Sequence, residues 1–224
     1  MRSALPVIAS ALAAGAMLFL TTAPTHAQAT FFSDRSAFLA NTTGTTTIDF
    51  EGLAPDNSYT FYPLPAGITL SGVNFSVDPS FTHNALGVIG KGFYYQGNSV
   101  LSSQSTTAAN GDLLITFSAP VTAIGLDYYS DNSNTDIFTL SDGEVFSRPT
   151  GNGHPSSFVG LISNTPITTL DIQAKVSYAI NIDNFTFGKS APVPETSSVI
   201  SLGLLLALGL GALTVNARRR KAVH

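Results

Sequence analysis

Three stretches of this chain alternate apolar with polar residues at a period of two, and turn-forming residues separate them. Leu113, Ile115 and Phe117 alternate with Leu114, Thr116 and Ser118; Ile124, Leu126 and Tyr128 with Gly125 and Asp127; Leu170 and Ile172 with Asp171 and Gln173. Successive side chains of a strand point to opposite faces, so each stretch predicts a strand with one buried and one wet face. The segments between them are rich in Thr, Ser, Gly and Asn, and turn signals recur about every 8 to 12 residues, the pattern of an all-β sandwich or barrel. Ser118-Ala119-Pro120, Ser141-Asp142-Gly143, Gly151-Asn152-Gly153 and Asn164-Thr165-Pro166 are the expected turns. Asp142-Gly143 is the strongest hairpin signal among them.

One short helix is expected from about Asp34 to Ala40, with Ser33 capping its first turn and Phe38 and Leu39 giving it an apolar face. The alternation changes phase near the end of the body. Ile180 and Ile182 occupy even positions, whereas Phe185 and Phe187 occupy odd ones, which predicts a bulge near Asp183-Asn184. No repeat of solenoid length is visible.

Both ends differ from the body. Met1 to Ala27 carries one cation, Arg2, then an apolar run from about Leu5 to Leu20 and small residues after Pro24, the layout of a secretory signal peptide. Cleavage is expected after Ala27 or Ala29, the alternative being an uncleaved N-terminal anchor. At the other end residues 196–217 contain no charge. At roughly 1.5 Å per residue such a stretch reaches about 33 Å as a helix, enough to span a bilayer core of about 30 Å. A buried soluble helix is the competing reading. Arg218, Arg219, Arg220 and Lys221 follow directly as a membrane stop, and the positive-inside rule keeps them cytoplasmic and places the body outside. With no cysteine in the chain, the exported body must rely on its core or on bound ions.

The expected organisation is therefore a signal peptide at 1–27, a sandwich at 30–188, a linker with the sorting motif at 189–195, a transmembrane helix at 196–217 and a basic cytoplasmic tail at 218–224. About 160 residues between the ends suit one domain. Between Thr30 and Ser190 thirteen Asp and Glu face five Lys and Arg, a net charge of −8. Such a body has no electrostatic footprint for nucleic acid or anionic lipid and is compatible with divalent cations and neutral glycans.

Val193-Pro194-Glu195, an apolar span and an Arg-rich end, in that order, resemble the PEP-CTERM sorting signal of Gram-negative, exopolysaccharide-producing bacteria. Thr196 stands where the family's motif carries a second proline. The resemblance implies an integral-membrane exosortase as partner, which recognises the motif and processes the tail. It also implies passage through a membrane-anchored precursor to the cell surface or extracellular matrix. A plain single-span anchor is the other reading. The body has a looser resemblance: Phe32 to Phe38, Ile48-Asp49-Phe50-Glu51-Gly52-Leu53 and Ile182-Asp183-Asn184-Phe185 look like exosortase-dependent surface proteins with jelly-roll, carbohydrate-binding-module-like sandwiches. That resemblance implies a jelly-roll-like antiparallel sandwich, with a structural calcium held by an acidic residue near the first strand and an Asp in the last.

Period-two spacing would put Asp49 and Glu51 on one face of a strand, and Asp183 is the third carboxylate for a hard cation such as Ca²⁺, which takes six to eight oxygens. The alternative is that all three are solvated strand residues. Asp127, Asp131, Asn132, Asn134 and Asp136 form a second polar cluster, which reads as a hairpin loop because no Gly or distal Glu completes an EF-hand pattern. Tyr94 and Tyr95, within Phe93-Tyr94-Tyr95-Gln96, are the candidate ligand-binding aromatics; Tyr128-Tyr129 and Tyr59, Phe61 and Tyr62 are further aromatic candidates, with core packing as the alternative for each. His83 and His154 belong to no triad or metal-spacing motif, so no enzyme activity is expected. The function expected is a structural or adhesive role in the exopolysaccharide layer, with a calcium-dependent carbohydrate-binding module as the alternative.

Overall fold

The computed structural model describes residues 29–77, 84–93, 97–105, 112–130, 135–149, 157–174 and 179–192. The expected signal peptide, the expected sorting motif Val193, Pro194 and Glu195, the apolar stretch and the cations at 218–221 lie outside the described residues, as do Tyr94, Tyr95 and the expected turn at 151–153. What is described is all-β apart from one helix: β1 (Thr30–Phe32), α1 (Arg35–Ala40), β2 (Thr42–Ile48), β3 (Tyr59–Tyr62), β4 (Ile68–Leu70), β5 (Val73–Ser76), β6 (Asn84–Ile89), β7 (Val100–Ser105), β8 (Asp112–Ser130), β9 (Thr135–Leu140), β10 (Val145–Pro149), β11 (Ser157–Gln173) and β12 (Ala179–Ser190). Every described pairing is antiparallel.

The strands form two layers that share their two longest members. In the first layer β4 and β5 lie beside the N-terminal half of β8, which pairs with the C-terminal half of β11, followed by β9 and β10. In the second layer β1 lies beside the N-terminal half of β11, which pairs with the C-terminal half of β8; then come β12, β7, β6 and β3, with β2 on the end of β12. The crossing points correct two expected turns. Ser118-Ala119-Pro120 and Asn164-Thr165-Pro166 do not reverse the chain but lie within β8 and β11, where the register between the two strands shifts. Proline lacks a ladder N–H, so it ends one run of pairing, and strands that switch sheets turn their corner at such irregularities.

The inner faces meet in one core. Phe75, Leu113 and Ile115 of the first layer and Leu101, Ile182 and Phe185 of the second are fully buried. Aromatic rings run across the seam, with Phe75 at 5.2 Å and Phe117 at 6.1 Å from Phe185, within the range of favourable ring contacts. The apolar sets at 113–117, 124–128 and 170–172 face inward as read, but the other face of 124–128 is not wet throughout, since Gly125 is buried beneath Phe38 and Phe158.

The expected bulge is present. Pairing of β12 with β8 slips between Asp183 and Thr186, and Asn184 takes a left-handed conformation with φ of 47°. The hairpin at Asp142-Gly143 also forms, with Gly143 at φ 84° and its N–H donating to the carbonyl of Leu140 at 2.9 Å. Lys189 and Ser190, read as linker, instead extend β12 by pairing with Thr43 and Thr42.

Helix α1 forms where expected, with two differences. Its N-cap is Asp34 rather than Ser33, the carboxylate accepting from the Ala37 N–H at 2.7 Å. Phe38 is buried while Leu39 is 42% exposed, because a six-residue helix presents one narrow stripe to its neighbour. Phe38 lies over the outer face of the second layer at Gly125 and Gly160. A Cβ on Gly160 would come within 2.9 Å of the Phe38 ring and 2.8 Å of the Phe158 ring, closer than real Cβ contacts, so a ring would have to move. Gly160→Ala is therefore expected to destabilise the domain by about 1–3 kcal/mol, and Phe38→Leu in the same chain to recover part of that loss. Urea unfolding of the two variants checks this, and equal midpoints for Gly160→Ala and the parent would contradict the packing.

Candidate functional site

Arg35 opens α1 directly after its cap, which aims the guanidinium along the outer face of the second layer. One nitrogen meets a carboxylate oxygen of Asp127 at 2.9 Å, the other the hydroxyl of Thr186 at 3.2 Å, and both lie 3.5 Å from the carbonyl oxygen of Asn184. Its plane also covers Phe158, at 4.5 Å from the ring centroid. Asn184 continues the network from the apex of the bulge. Its amide donates to Asp127 at 2.9 Å and to Asp183 at 3.2 Å, and its backbone N–H reaches Asp183 at 2.6 Å. Asn98 adds a donor to Asp183 at 3.0 Å. Beside it Glu51 grips Ser99 with both oxygens, the N–H at 2.8 Å and the hydroxyl at 3.1 Å.

The three calcium candidates are thus not gathered into one group. Strand β2 stops at Ile48 and Phe50 adopts φ of 57°, so the period-two geometry assumed for Asp49 and Glu51 is broken between them. Phe50 is buried against Phe75 at 5.4 Å, and that packing sets the turn. Asp49 is exposed and accepts the Glu51 N–H at 3.2 Å, while Glu51 faces Ser99. Among the described residues no three acidic or histidine side chains are arranged to hold a metal ion. The second polar cluster is divided by the sheet: Asp127 lies on the outer face, whereas Asp136 is fully buried and accepts the Tyr128 hydroxyl from the core side. Asp131, Asn132 and Asn134 lie outside the described residues.

Beside this network the outer face carries a row that crosses five strands. Phe61 pairs with Gly87, Gly87 with Ser102, Ser102 with Asn181, and Asn181 with Tyr129. Alternation sends these side chains away from the core, because Leu86, Leu101, Ile182 and Tyr128 on the same strands face inward. Tyr59 and Tyr129 pack on Ile89 and Val100, and the rings of Tyr59 and Phe61 lie 4.3 Å apart. Gly87 makes room for them, since a Cβ there would sit 2.3 Å from the Tyr59 ring. At the centre, Ser102 is 0% and Asn181 1% exposed, and neither Ser102 Oγ nor Asn181 Oδ1 has a hydrogen-bond partner. A buried orphan polar atom costs about 1–3 kcal/mol, but this pair is closed to solvent, and the part of the row open to a ligand is the Phe61 ring, 64% exposed.

Sequence reasoning missed Arg35, Ser102 and Asn181. Each sits at a position that reads as ordinary wet-face polarity. The aromatic candidates divide by face: Tyr59, Phe61 and Tyr129 lie on the outer face, while Tyr62 and Tyr128 pack against the core.

No family model matches the chain, and no curated protein does. Among solved structures it is similar to a variant of a family 29 carbohydrate-binding module, at 11% identity over 62% of this chain and 98% of that one with a TM-score of 0.38. A family 29 module variant complexed with mannohexaose is similar at 14% identity over 59% and 93%, TM-score 0.38. The family 11 module of the cellulosomal cellulase Lic26A-Cel5E of Clostridium thermocellum is similar at 9% identity over 68% and 98%, TM-score 0.34.

Asp183 is the buried carboxylate of the network. Burial raises its carboxyl from 3.8 to about 6, and the charges of Asp127 and Glu51 push the same way, against the hydrogen bonds from Asn184 and Asn98. A folded-state value above the unfolded one means the native state binds the extra proton between pH 4 and 6. Stability from this group is then present below that window and falls as pH rises through it. Asp183→Asn should flatten that fall, and thermal midpoints measured from pH 4 to 7 check it; an unchanged pH profile would contradict the burial.

Proposed function

We propose that this chain is an exported surface or extracellular-matrix protein, non-catalytic, whose sandwich has an adhesive role and holds neutral polysaccharide on the outer face of its second layer. The observation that carries the reading is the aromatic end of that row, where Phe61 is 64% exposed and its ring lies 4.3 Å from that of Tyr59. An aromatic ring with an exposed face suits the apolar face of a pyranose. The net charge of −8 over Thr30 to Ser190 favours an uncharged polymer over an anionic one.

The address comes from the ends. The signal peptide and the tail with Val193-Pro194-Glu195, its span and Arg218 to Lys221 support export, insertion and handling by an exosortase-like enzyme in a Gram-negative cell. Polysaccharide outside the cell is the partner such a route would supply. Calcium is not required by this reading, because Asp127, Asp183 and Glu51 already have protein donors.

Affinity electrophoresis of the exported protein in gels containing neutral polysaccharides, with an anionic alginate gel as contrast, tests the proposal. Retardation is expected in a neutral polymer and not in alginate. Phe61→Ala is expected to weaken it by about 5- to 50-fold, the loss of one ring from the contact. Retardation that this variant leaves intact would remove this face from the reading, and retardation abolished by chelator would favour a calcium-dependent module.

A further inference from the structure

Charge is shared unevenly between the two sides of the sandwich. Each of β8 to β12 carries at least one Asp, Lys or Arg, whereas β3, β4, β5, β6 and β7 carry no charged residue, and residues 57–77 contain none at all. Strand β3 ends the second layer on that uncharged side, and among the described residues it pairs with β6 alone. Its outward side chains are Tyr59 and Phe61, and Leu64, 39% exposed, follows just beyond its end. Edge strands are commonly defended by charged side chains, and β3 has none.

We infer that β3 pairs antiparallel with β3 of a second copy of this chain, so that the second layer continues across a twofold axis and Phe61 of each copy joins one aromatic row. The charge of the body names this occupant. A basic partner would be drawn to the acidic strands on the other side, and two copies at −8 each repel wherever those strands approach. A flank free of charge on both copies lets them meet, and a twofold contact sets a surface against itself. Pairing along the edge also gives each strand the backbone donors and acceptors it lacks on that side.

Symmetry and side-chain alternation select the register. With the axis perpendicular to the sheet, the outer faces of both copies lie on the same side, so residues directly opposite one another are both even or both odd in number. An axis at Thr60 sets Tyr59 opposite Phe61 of the second copy and leaves Pro63, which has no N–H, outside the ladder. An axis at Phe61 would bring Pro63 opposite Tyr59. The Thr60 register therefore holds, and it lines up Tyr59 and Phe61 from each copy on one continuous outer face. The contact stands without the polysaccharide reading; the use of the doubled row to hold a polymer across the axis rests on it.

The chain has no cysteine, so a single introduced one reports on one contact. Thr60→Cys in the full-length chain, oxidised with copper phenanthroline, is expected to give a band of twice the chain's mass on a non-reducing gel, because opposed residues of an antiparallel pair have Cβ atoms about 4.5–5.5 Å apart, close to disulfide reach. Val145→Cys, exposed on β10 at the far edge of the first layer, is expected to give none. Phe61→Lys added to Thr60→Cys brings like charges together beside the axis and is expected to cut the cross-linked fraction about tenfold, with an unchanged thermal midpoint showing that the fold survives. No dimer band from Thr60→Cys, equal bands from the two cysteines, or a band that Phe61→Lys leaves intact overturns the inference. In a gel containing the neutral polymer, the cross-linked protein is expected to be retarded at least about tenfold more strongly than its reduced form. Equal retardation overturns the shared row and leaves the contact in place, whereas no retardation of either form overturns the polysaccharide reading instead.

Discussion

Two strands belong to both layers, and the rest of the domain depends on that sharing. β8 and β11 pair with each other on either side of a corner, so each layer is completed by chain that also completes the other. With no cysteine anywhere in the chain, this continuity does the tying that a disulfide does in many exported domains. The aromatic seam of Phe75, Phe117 and Phe185 then closes the gap between the layers, and burying rings of that size is worth about 2–3 kcal/mol each. Neither layer has an inner face that could stay dry without the other.

Much of this architecture was legible in the sequence, for reasons that can be traced to particular residues. The alternation through Leu113 to Ser118 and Leu170 to Gln173 is a local pattern with a local cause, and the structure realises it. The phase change between Ile182 and Phe185 had the same legibility, since a strand cannot move its apolar set to the opposite parity without an extra residue. Pro120 and Pro166 were misread because a proline marks the end of ladder pairing equally well at a turn and at a corner between sheets. Distinguishing the two requires knowing the partner strand, which is far away in sequence.

The site was less legible than the fold. Asp49 and Glu51 are two apart, but the left-handed Phe50 between them is imposed by its packing on Phe75, a contact no local pattern encodes. Ser102 and Asn181 lie 79 positions apart in sequence and become neighbours only through the pairing of β7 with β12. Their burial changes their meaning, because the same residues in water would need no partner. Arg35 shows the converse. One helix cap aims it, and it then joins α1 to β8, β11 and β12 through an ion pair, a ring and a hydroxyl.

The position of β12 has a mechanical consequence. It is the last of the described strands, yet it lies inside its layer, flanked by β8 on one side and by β7 and β2 on the other, and the Ala191 N–H is fastened to the carbonyl of Asn41 at 2.8 Å. Ladder bonds run perpendicular to the strands they join, so a pull on the chain beyond Ala191 loads β12 along its axis and strains many of them at once rather than one after another. Tension at that end meets the domain in shear, the direction in which a sheet resists best.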